Sequence, residues 1–233
     1  MVALQELTSD VAAALEADPE IDVRFPFREL VPGGDTQGMG VLSRFPLRDA
    51  RSYASPAGLE VVVETLGGDV TLVNAHPLPA VIAPPFTFDP SRRDRAIATA
   101  RGWADAALDR DETVLLIGDF NVTPTEPAYR RLVDGLRDAH TDAGLGPGWT
   151  WRPKRVEPFG IGALRIDYVF VGPGLEPVSS SVDCPRVGDH CRVMARIGFE
   201  SRDSAPAIRA VWPSSAGAPA GTIHVRCAAS RCS

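Results

Sequence analysis

The amino-acid sequence predicts one domain of mixed α-helices and β-strands over residues 1–200, followed by a different segment at 201–233. Three observations support this prediction. The chain has 233 residues, of which 44% are hydrophobic and 23% charged, and this is an ordinary globular composition. Apolar patterns of strand length and of helix length alternate up to about residue 200, with no linker between them. Beyond that point the periodicity is poor.

Helix and strand patterns can be placed along most of the first 200 residues. The predicted helices are 9–17, 91–108 and 125–136, and the predicted strands are 40–43, 59–66, 70–74, 113–117, 166–171 and 191–199. Ser91 is a candidate N-cap for the second helix. The sequence Gly67-Gly68-Asp69 predicts a hairpin turn between two of the strands.

The segment 201–233 is rich in Ala, Pro, Ser and Gly, and it contains four arginines and one acidic residue. We expect it to be a disordered or weakly docked appendage, because such a composition offers little apolar surface to bury. A functional basic tail is the alternative.

The overall charge limits the classes of partner. There are 30 acidic and 24 basic residues, and the net charge of −6 disfavours a protein that holds nucleic acid by bulk electrostatics. A metal-dependent enzyme that acts on phosphates remains compatible, because the cation supplies local positive charge. No apolar run approaches the roughly 18–20 residues of a membrane span. We therefore expect no transmembrane segment and, by default, a soluble cytoplasmic protein.

Four cysteines occur, at positions 184, 191, 227 and 232. None forms a Cys-x-x-Cys pair, which argues against a zinc ribbon or a thioredoxin motif. We expect them to be incidental thiols, since disulfides are rare outside secreted proteins.

Polar side chains follow two predicted strands. Asp119 and Asn121 follow an apolar strand, and alternate residues of an extended segment point the same way. A carboxylate and an amide together suit a hard cation or an attacking water. Asn74 and His76 show the same spacing at the end of another strand. The alternatives are an ordinary turn and a histidine without a chemical role.

Two further acids and a histidine are candidates for chemistry. Asp167 lies within a strongly apolar strand, and a buried carboxylate is costly unless it is paired. A histidine is the natural partner of such a carboxylate, because the pair can act in general acid–base catalysis. A structural ion pair with Arg165 is the alternative. Asp189 and His190 stand together just before the last predicted strand. Glu6 follows an apolar stretch and is a weak signal by itself.

Taken in order, these motifs resemble the endonuclease/exonuclease/phosphatase superfamily, which includes deoxyribonuclease-like nucleases, abasic-site endonucleases, sphingomyelinases and inositol-phosphate phosphatases. The resemblance covers roughly residues 1–199. The motifs that carry it are Gln5-Glu6, Gly40-Val-Leu-Ser-Arg44, Asn74-x-His76, Gly118-Asp-Phe-Asn121, Arg165-Ile-Asp-Tyr168 and Asp189-His190. Each motif is weak alone, whereas six in the same order are specific.

The resemblance implies an α+β fold, a four-layer α/β/β/α sandwich of two mostly antiparallel sheets with outer helices. It also implies hydrolysis of phosphate esters by in-line attack of water, assisted by Mg²⁺ or Mn²⁺ and by histidine. The implied metal-binding residues are Glu6, Asp119 and Asp189. The implied catalytic residues are His190, Asp119, Asn121, Asp167 and His76, with Asp167 orienting His190. The implied phosphate contacts are Asn74, His76 and Asn121.

The chain departs from the family pattern at two places, and the first of them supports an alternative. The family begins with a strand that carries an Asn, upstream of the metal-binding acid, and here only five residues precede Glu6. We therefore expect an N-terminally truncated domain or a misassigned start, and an inactive relic with only a binding role, or none, is the alternative function. Gly188 also replaces the family's usual Ser.

The chain looks like a bacterial branch of the family, in which the catalytic domain often follows membrane helices. Such helices upstream would give an extracytoplasmic, membrane-associated location.

The substrate stays open between a nucleic acid, a nucleotide and a lipid-linked phosphate. The loop 77–90 contains five prolines and several apolar residues, which suits a lipid-linked phosphate or a partner surface. A cluster of Trp149, Trp151, Arg152, Lys154 and Arg155 could stack bases or bind phosphate oxygens, or form a solvated loop with core tryptophans. We expect a monomer.

Overall fold

The computed structural model describes residues 1–34, 36–83, 87–153, 163–185 and 188–200, together with the backbone of residues 223–229. In chain order, the elements are β1 (Val2–Gln5), α1 (Ser9–Ala17), α2 (Pro19–Arg24), β2 (Phe27–Val31), β3 (Met39–Ser43), β4 (Leu47–Ala54), β5 (Ala57–Thr65), β6 (Gly68–His76), β7 (Val81–Ala83), β8 (Thr87–Asp89), α3 (Ser91–Leu108), β9 (Val114–Asp119), α4 (Pro127–Leu132), β10 (Arg137–Asp138), α5 (Ala139–Ala143), β11 (Asp167–Val171), β12 (Leu175–Asp183), β13 (Arg192–Phe199) and β14 (Ile223–Ala229).

Two six-stranded sheets organise the described chain. The first sheet has the order β12-β13-β14-β1-β3-β2, and the second has the order β10-β11-β9-β6-β5-β4. Each sheet is antiparallel except for one pair of strands. The parallel pair is β1 with β14 in the first sheet and β6 with β9 in the second. A separate hairpin of β7 and β8 follows β6.

The sheets pack face to face, and helices cover their outer faces. The inner core joins Val41 of the first sheet to Leu72 and Ile117 of the second. Helix α3 packs through Ile97 and its neighbours on the outer face of the second sheet. Helix α1 covers the first sheet, where Leu4 and Leu42 point outward. This arrangement confirms the predicted four-layer α/β/β/α sandwich.

The sequence located some of the elements, missed others such as β4 and β12, and misjudged some ends. Helices α1 and α3 have the predicted bounds. The N-cap of α3 is Pro90 rather than Ser91, and the N–H of Ser91 donates instead to Asp89 Oδ1 at 2.9 Å. Helix α4 is shorter than predicted, and Gly135, beyond its end, has a positive φ of 71°. Such a backbone conformation cannot continue a right-handed helix.

The structure departs from the expectation of a disordered tail at residues 223–229. Strand β14 lies between β13 and β1, parallel to β1. It therefore gives β1 a neighbour on the side opposite β3. The sequence does carry a strand signal, since Ile223, Val225 and Cys227 alternate with His224 and Arg226. The surrounding composition obscured it, and residues 201–222 and 230–233 lie outside the described residues.

The expectation of incidental thiols is wrong for two of the four cysteines. Cys184 and Cys191 form a disulfide. Asp183 pairs with Arg192 at the end of the β12–β13 ladder, so the next two facing positions are the cysteines. Separately, none of the helices in the described part of the chain is long and apolar enough to cross a membrane.

We predict that Val225→Pro lowers the melting temperature, because β14 has a strand on each side and proline removes a ladder N–H. The ladder carbonyl that loses this donor is left buried without a hydrogen bond, which lowers the free energy of unfolding by about 1–3 kcal/mol. In a domain of this size, that corresponds to a melting temperature lower by roughly 2–10 °C. The control is Val225→Thr, which keeps the N–H and the branched side chain. Equal melting temperatures for the two variants would show that β14 is not part of the sheet in solution.

Candidate active site

The candidate catalytic residues meet at one edge of the second sheet. Strands β6 and β9 are parallel, so their carboxyl ends lie at the same edge, and they carry His76 and Asp119 there. Strand β11 is antiparallel to β9 and begins at that edge, with Asp167 directly opposite Asp119. His190 comes from the turn before β13, and Glu6 follows β1 of the other sheet.

Asp167 and His190 form a hydrogen-bonded pair. The ring nitrogen Nδ1 of His190 lies 3.1 Å from Oδ2 and 3.3 Å from Oδ1 of Asp167. Because an ionised carboxylate only accepts, Nδ1 carries the proton and donates it. Arg165, the alternative partner considered from the sequence, instead pairs with Asp138 at 2.9 Å. Asp167 therefore fixes the orientation of the His190 ring.

The charge on His190 follows from its neighbours. Burial lowers the pKa of His190, but the charges of Asp167, Asp119 and Asp189 and the hydrogen bond to Asp167 outweigh it and raise the pKa to about 10. The ring is therefore an imidazolium at neutral pH.

Asp119 lies between the two histidines. Its Oδ2 atom is 3.7 Å from Nε2 of His76 and 3.7 Å from Nε2 of His190. Its Oδ1 atom accepts the backbone N–H of Asn121 at 2.9 Å. Burial, followed by the negative charge of Asp167, raises the pKa of Asp119 well above its usual value. Burial therefore penalises the charged form of Asp119 more than any neighbouring charge does.

His76 is held in the opposite state from His190. Its Nδ1 atom donates to the carbonyl of Thr36 at 3.0 Å, and its Nε2 atom lies 3.9 Å from Glu6 Oε1. Burial lowers the pKa of His76. A neutral ring with its proton on Nδ1 presents a lone pair at Nε2. The donor role predicted for His76 would therefore require this ring to gain a proton.

Asn74 joins the two sheets. Its Nδ2 atom donates to the carbonyls of Leu4 at 2.9 Å and Gly40 at 3.2 Å, and its Oδ1 atom accepts from Gln5 Nε2 at 2.5 Å. The side chain is fully buried. Both amide hydrogens are used within the protein, so the predicted contact of Asn74 with a substrate phosphate is not supported by this arrangement.

Asn121 lies at the rim of the site and adopts a left-handed backbone conformation, with φ of 52°. Its side chain donates to the carbonyl of Pro77 at 3.0 Å. Its own carbonyl accepts from Nη1 of the buried Arg93 at 2.9 Å. Arg93 was missed from the sequence, although it lies four positions before Ile97 on the buried stripe of α3. A charged residue on an apolar helix stripe could have signalled this contact.

At two strand ends, a candidate acid has or directly follows a backbone conformation with positive φ. Glu6 also has a left-handed conformation, with φ of 57°. Gly118, before Asp119, has φ of 144°, and a Cβ atom there would lie 1.9 Å from the carbonyl oxygen of Ala75. Such conformations persist where the surrounding structure enforces them.

The aromatic–basic cluster predicted from the sequence is divided by the structure. Arg152 is completely buried, so it is not exposed for stacking on bases or contact with substrate phosphate. Trp149 is 44% exposed. Lys154 and Arg155 lie outside the described residues. Within the loop 77–90, Phe88 is 54% exposed beside the site, while residues 84–86 are not described.

The ligand set that the geometry offers a cation differs from the predicted one. In the described part of the chain, ligand atoms of Asp119, Asp167 and His190 lie within 4.8 Å of one another. Of these, the two carboxylates can bind a cation, because a protonated His190 ring has no free lone pair. This set shares Asp119 with the predicted one. Asp189 is not in this group. Glu6 is not in it either, but its carboxylate lies near His76, which in turn lies near Asp119. Carboxylate oxygens are the ligands that Mg²⁺ and Mn²⁺ prefer. The carboxylates of Asp119 and Asp167 lie close together at this edge, so a divalent cation fits here.

Comparison with known proteins agrees with the fold. No curated protein is significantly similar to the chain in sequence. A truncated TDP2 from Caenorhabditis elegans is 16% identical with a TM-score of 0.64, covering 85% of this chain and 83% of that one. The 3′ phosphatase NExo from Neisseria, bound to a product DNA hairpin, is 21% identical with a TM-score of 0.61, covering 85% of this chain and 88% of that one.

A conserved protein of unknown function from Enterococcus faecalis V583 is 17% identical with a TM-score of 0.65, covering 85% of this chain and 84% of that one. At such identities the likeness shows the fold alone. The sequence itself is matched over residues 1–213 by the model of one family. The chain therefore belongs to the Endonuclease/Exonuclease/phosphatase family.

Proposed function

We propose that this protein hydrolyses phosphate esters by in-line attack of water, in a reaction that depends on Mg²⁺ or Mn²⁺. Membership of the family supports metal-dependent phosphoester hydrolysis in general. The observation that carries the proposal for this chain is the buried group of Asp119, Asp167 and His190, with His76 and Glu6 beside it. An inactive relic has less support, because these residues converge with defined hydrogen bonds.

The cation would be held by carboxylates at the sheet edge, with Asp119 and Glu6 as the main candidates. When bound, it would supply positive charge to the phosphate oxygens and lower the barrier to displacement. Asp189 remains a candidate from the family pattern, although its carboxylate is outside the group that the geometry brings together.

The protein side chains would divide the remaining tasks. His190 carries a proton at neutral pH, so it would stabilise developing negative charge or protonate the leaving oxygen, and Asp167 would hold its ring. Asp119 and Asn121 would position the attacking water. A bound phosphate would favour protonation of His76, which could then donate to it.

The substrate class remains broad in this proposal. NExo and TDP2 are similar in fold, and NExo is a 3′ phosphatase seen with product DNA. A DNA or nucleotide phosphate is therefore one candidate. The exposed Val81 and Phe88 of the β7–β8 hairpin favour an ester with an apolar portion as the other. Comparing hydrolysis of a DNA phosphodiester, a 3′-phosphate and a lipid-linked phosphate would decide between them.

The disulfide bears on location. Disulfides persist mainly in oxidising compartments, and Cys184 and Cys191 are bonded here. Of the two locations considered from the sequence, this favours the extracytoplasmic one.

We predict that hydrolysis of bis-p-nitrophenyl phosphate requires Mg²⁺ or Mn²⁺ and is abolished by a chelator. The reason is that the carboxylates of Asp119 and Asp167 lie close together, where a divalent cation would bind them and offset their repulsion. Initial rates measured before chelation, after it, and after adding back each metal would test this. Unchanged activity after exhaustive chelation would contradict the metal assignment.

We predict that His190→Ala and Asp119→Asn each lower the turnover number by about 10²–10⁴-fold, the usual contribution of an acid–base group. Asp167→Asn should cost less, because it only weakens the orientation of the ring. His140→Ala is a matched control, since His140 is also buried but contacts Ser180 and the Gly146 carbonyl away from the site. An Asp167→Asn rate equal to that of the native protein would refute the role of the pair.

We predict a pH-dependent contribution of His190 to stability. Its pKa rises from 6.5 to about 10 on folding. The stabilisation is therefore complete below about pH 6.5 and is lost as the pH rises through about 10. Melting temperatures of the native protein and of His190→Gln, measured in chelator from pH 6 to 10, should converge with rising pH. A constant difference would mean that His190 is not protonated in the fold.

A further inference from the structure

The turn that carries His190 is tied to a neighbouring segment by one buried arginine. We call the described residues 184–185 and 188–191 the histidine loop. Arg152 donates from Nε to the carbonyl of Gly188 at 3.1 Å, and from Nη2 to the same carbonyl at 2.6 Å. Nη2 also donates to the carbonyl of Pro185. One guanidinium group thus binds the carbonyls of both Pro185 and Gly188.

The backbone beside Arg152 holds the same loop. The N–H of Arg152 donates to the carbonyl of Asp189 at 2.9 Å, and the carbonyl of Thr150 accepts from the N–H of Cys191 at 2.6 Å. His190 lies between these two bonded residues. Its backbone is therefore fixed on both sides by residues 150–152.

The other half of the catalytic pair rests on the same segment. The Oγ1 atom of Thr150 accepts the backbone N–H groups of Ile166 and Asp167, each at 3.1 Å. Residues 150–152 therefore contact both the strand that presents Asp167 and the loop that presents His190. The distance between the two side chains depends on this shared support.

The chemistry of Arg152 indicates more than packing. Its side chain is 0% exposed, and within the described residues it forms no ion pair with a carboxylate. Burying a charge is costly unless it is compensated. A methionine would fill similar space without that cost. What the guanidinium adds is a planar set of donors directed at the loop carbonyls.

The disulfide tethers the loop independently. Cys184 and Cys191 close its base, and Cys191 directly follows His190. The loop is thus held covalently at its ends and by Arg152 in its middle.

We propose that Arg152 is a positioning residue that sets the His190 ring against Asp167 and Asp119. This inference rests on the proposed function for its kinetic consequence. Arg152 does not contact substrate in this role, because it is buried behind the loop. It acts on the rate through the position of His190.

The test compares Arg152→Met and Arg152→Lys with Arg101→Met. Arg101 is a matched control, because it is also buried and its guanidinium also donates to a main-chain carbonyl, that of Asp134, far from the loop. With bis-p-nitrophenyl phosphate and Mg²⁺, we expect Arg152→Met to lower kcat about 10–100-fold, as for a misplaced catalytic group. KM should stay within about two-fold, since no substrate contact is lost. Arg101→Met should leave both unchanged once corrected for the folded fraction.

A second readout does not need activity. The Nδ1 proton of His190, assigned by its loss in His190→Gln, should give a slowly exchanging downfield NMR signal in the native protein, because it is hydrogen-bonded to Asp167. The signal should broaden or vanish in Arg152→Met and persist in Arg101→Met. If Arg152→Met does not fold, Arg152→Lys provides the test, because a compact ammonium group cannot reproduce the planar set of donors of the guanidinium. In Arg152→Lys, both the His190 Nδ1 signal and kcat should also fall.

The outcomes separate the two proposals. A native protein inactive with both metals would refute the proposed function, while the NMR signal would still judge the role of Arg152. A normal His190 signal and a native kcat in the folded Arg152 variants would overturn the inference. A rise in KM with unchanged kcat would also overturn it, since that result would assign Arg152 to substrate binding.

Discussion

Two carboxylates that face each other across neighbouring strands set the conditions for the whole site. Asp119 and Asp167 are directly opposite in the β9–β11 ladder and both are buried. Like charges in such positions repel, and burial adds to the cost. The imidazolium of His190 relieves part of it by contacting Asp167 and facing Asp119. The protonation states of both histidines, and the suitability of the site for a cation, follow from this arrangement.

The two histidines show how position alone gives one residue type two states. His190 lies among carboxylates that outweigh its burial, whereas the Nδ1 atom of His76 meets a neutral carbonyl and burial dominates. One ring is therefore a cation and the other a neutral base before any ligand binds. An acid and a base can coexist within one buried cluster because each has a fixed, different partner.

From the sequence, candidate site residues could be predicted where a local pattern of polar and apolar residues marks them. Polar residues at the ends of apolar strands identified Asp119, His76 and Asp167, because strand ends at a sheet edge place such residues together. The four-layer arrangement came from the family resemblance, since alternating helix and strand patterns suit several folds. Asn74 was identified by the same pattern, because a strand-end position looks the same whether its side chain faces substrate or, as here, bonds to the other sheet. The support of His190 by Arg152 depends on contacts far apart in sequence, and composition gave no sign of it.

Strand β14 has a consequence for how the protein is made. Ala3 pairs with Cys227, so the centre of one sheet joins residues more than two hundred positions apart. Folds dominated by such distant pairings form slowly. While the chain is being synthesised, β1 and β13 lack the neighbour that separates them in the finished sheet. Until then each presents an unpaired edge to which another chain can add. The nascent protein would therefore gain from a chaperone that covers this gap until the last strand has been synthesised.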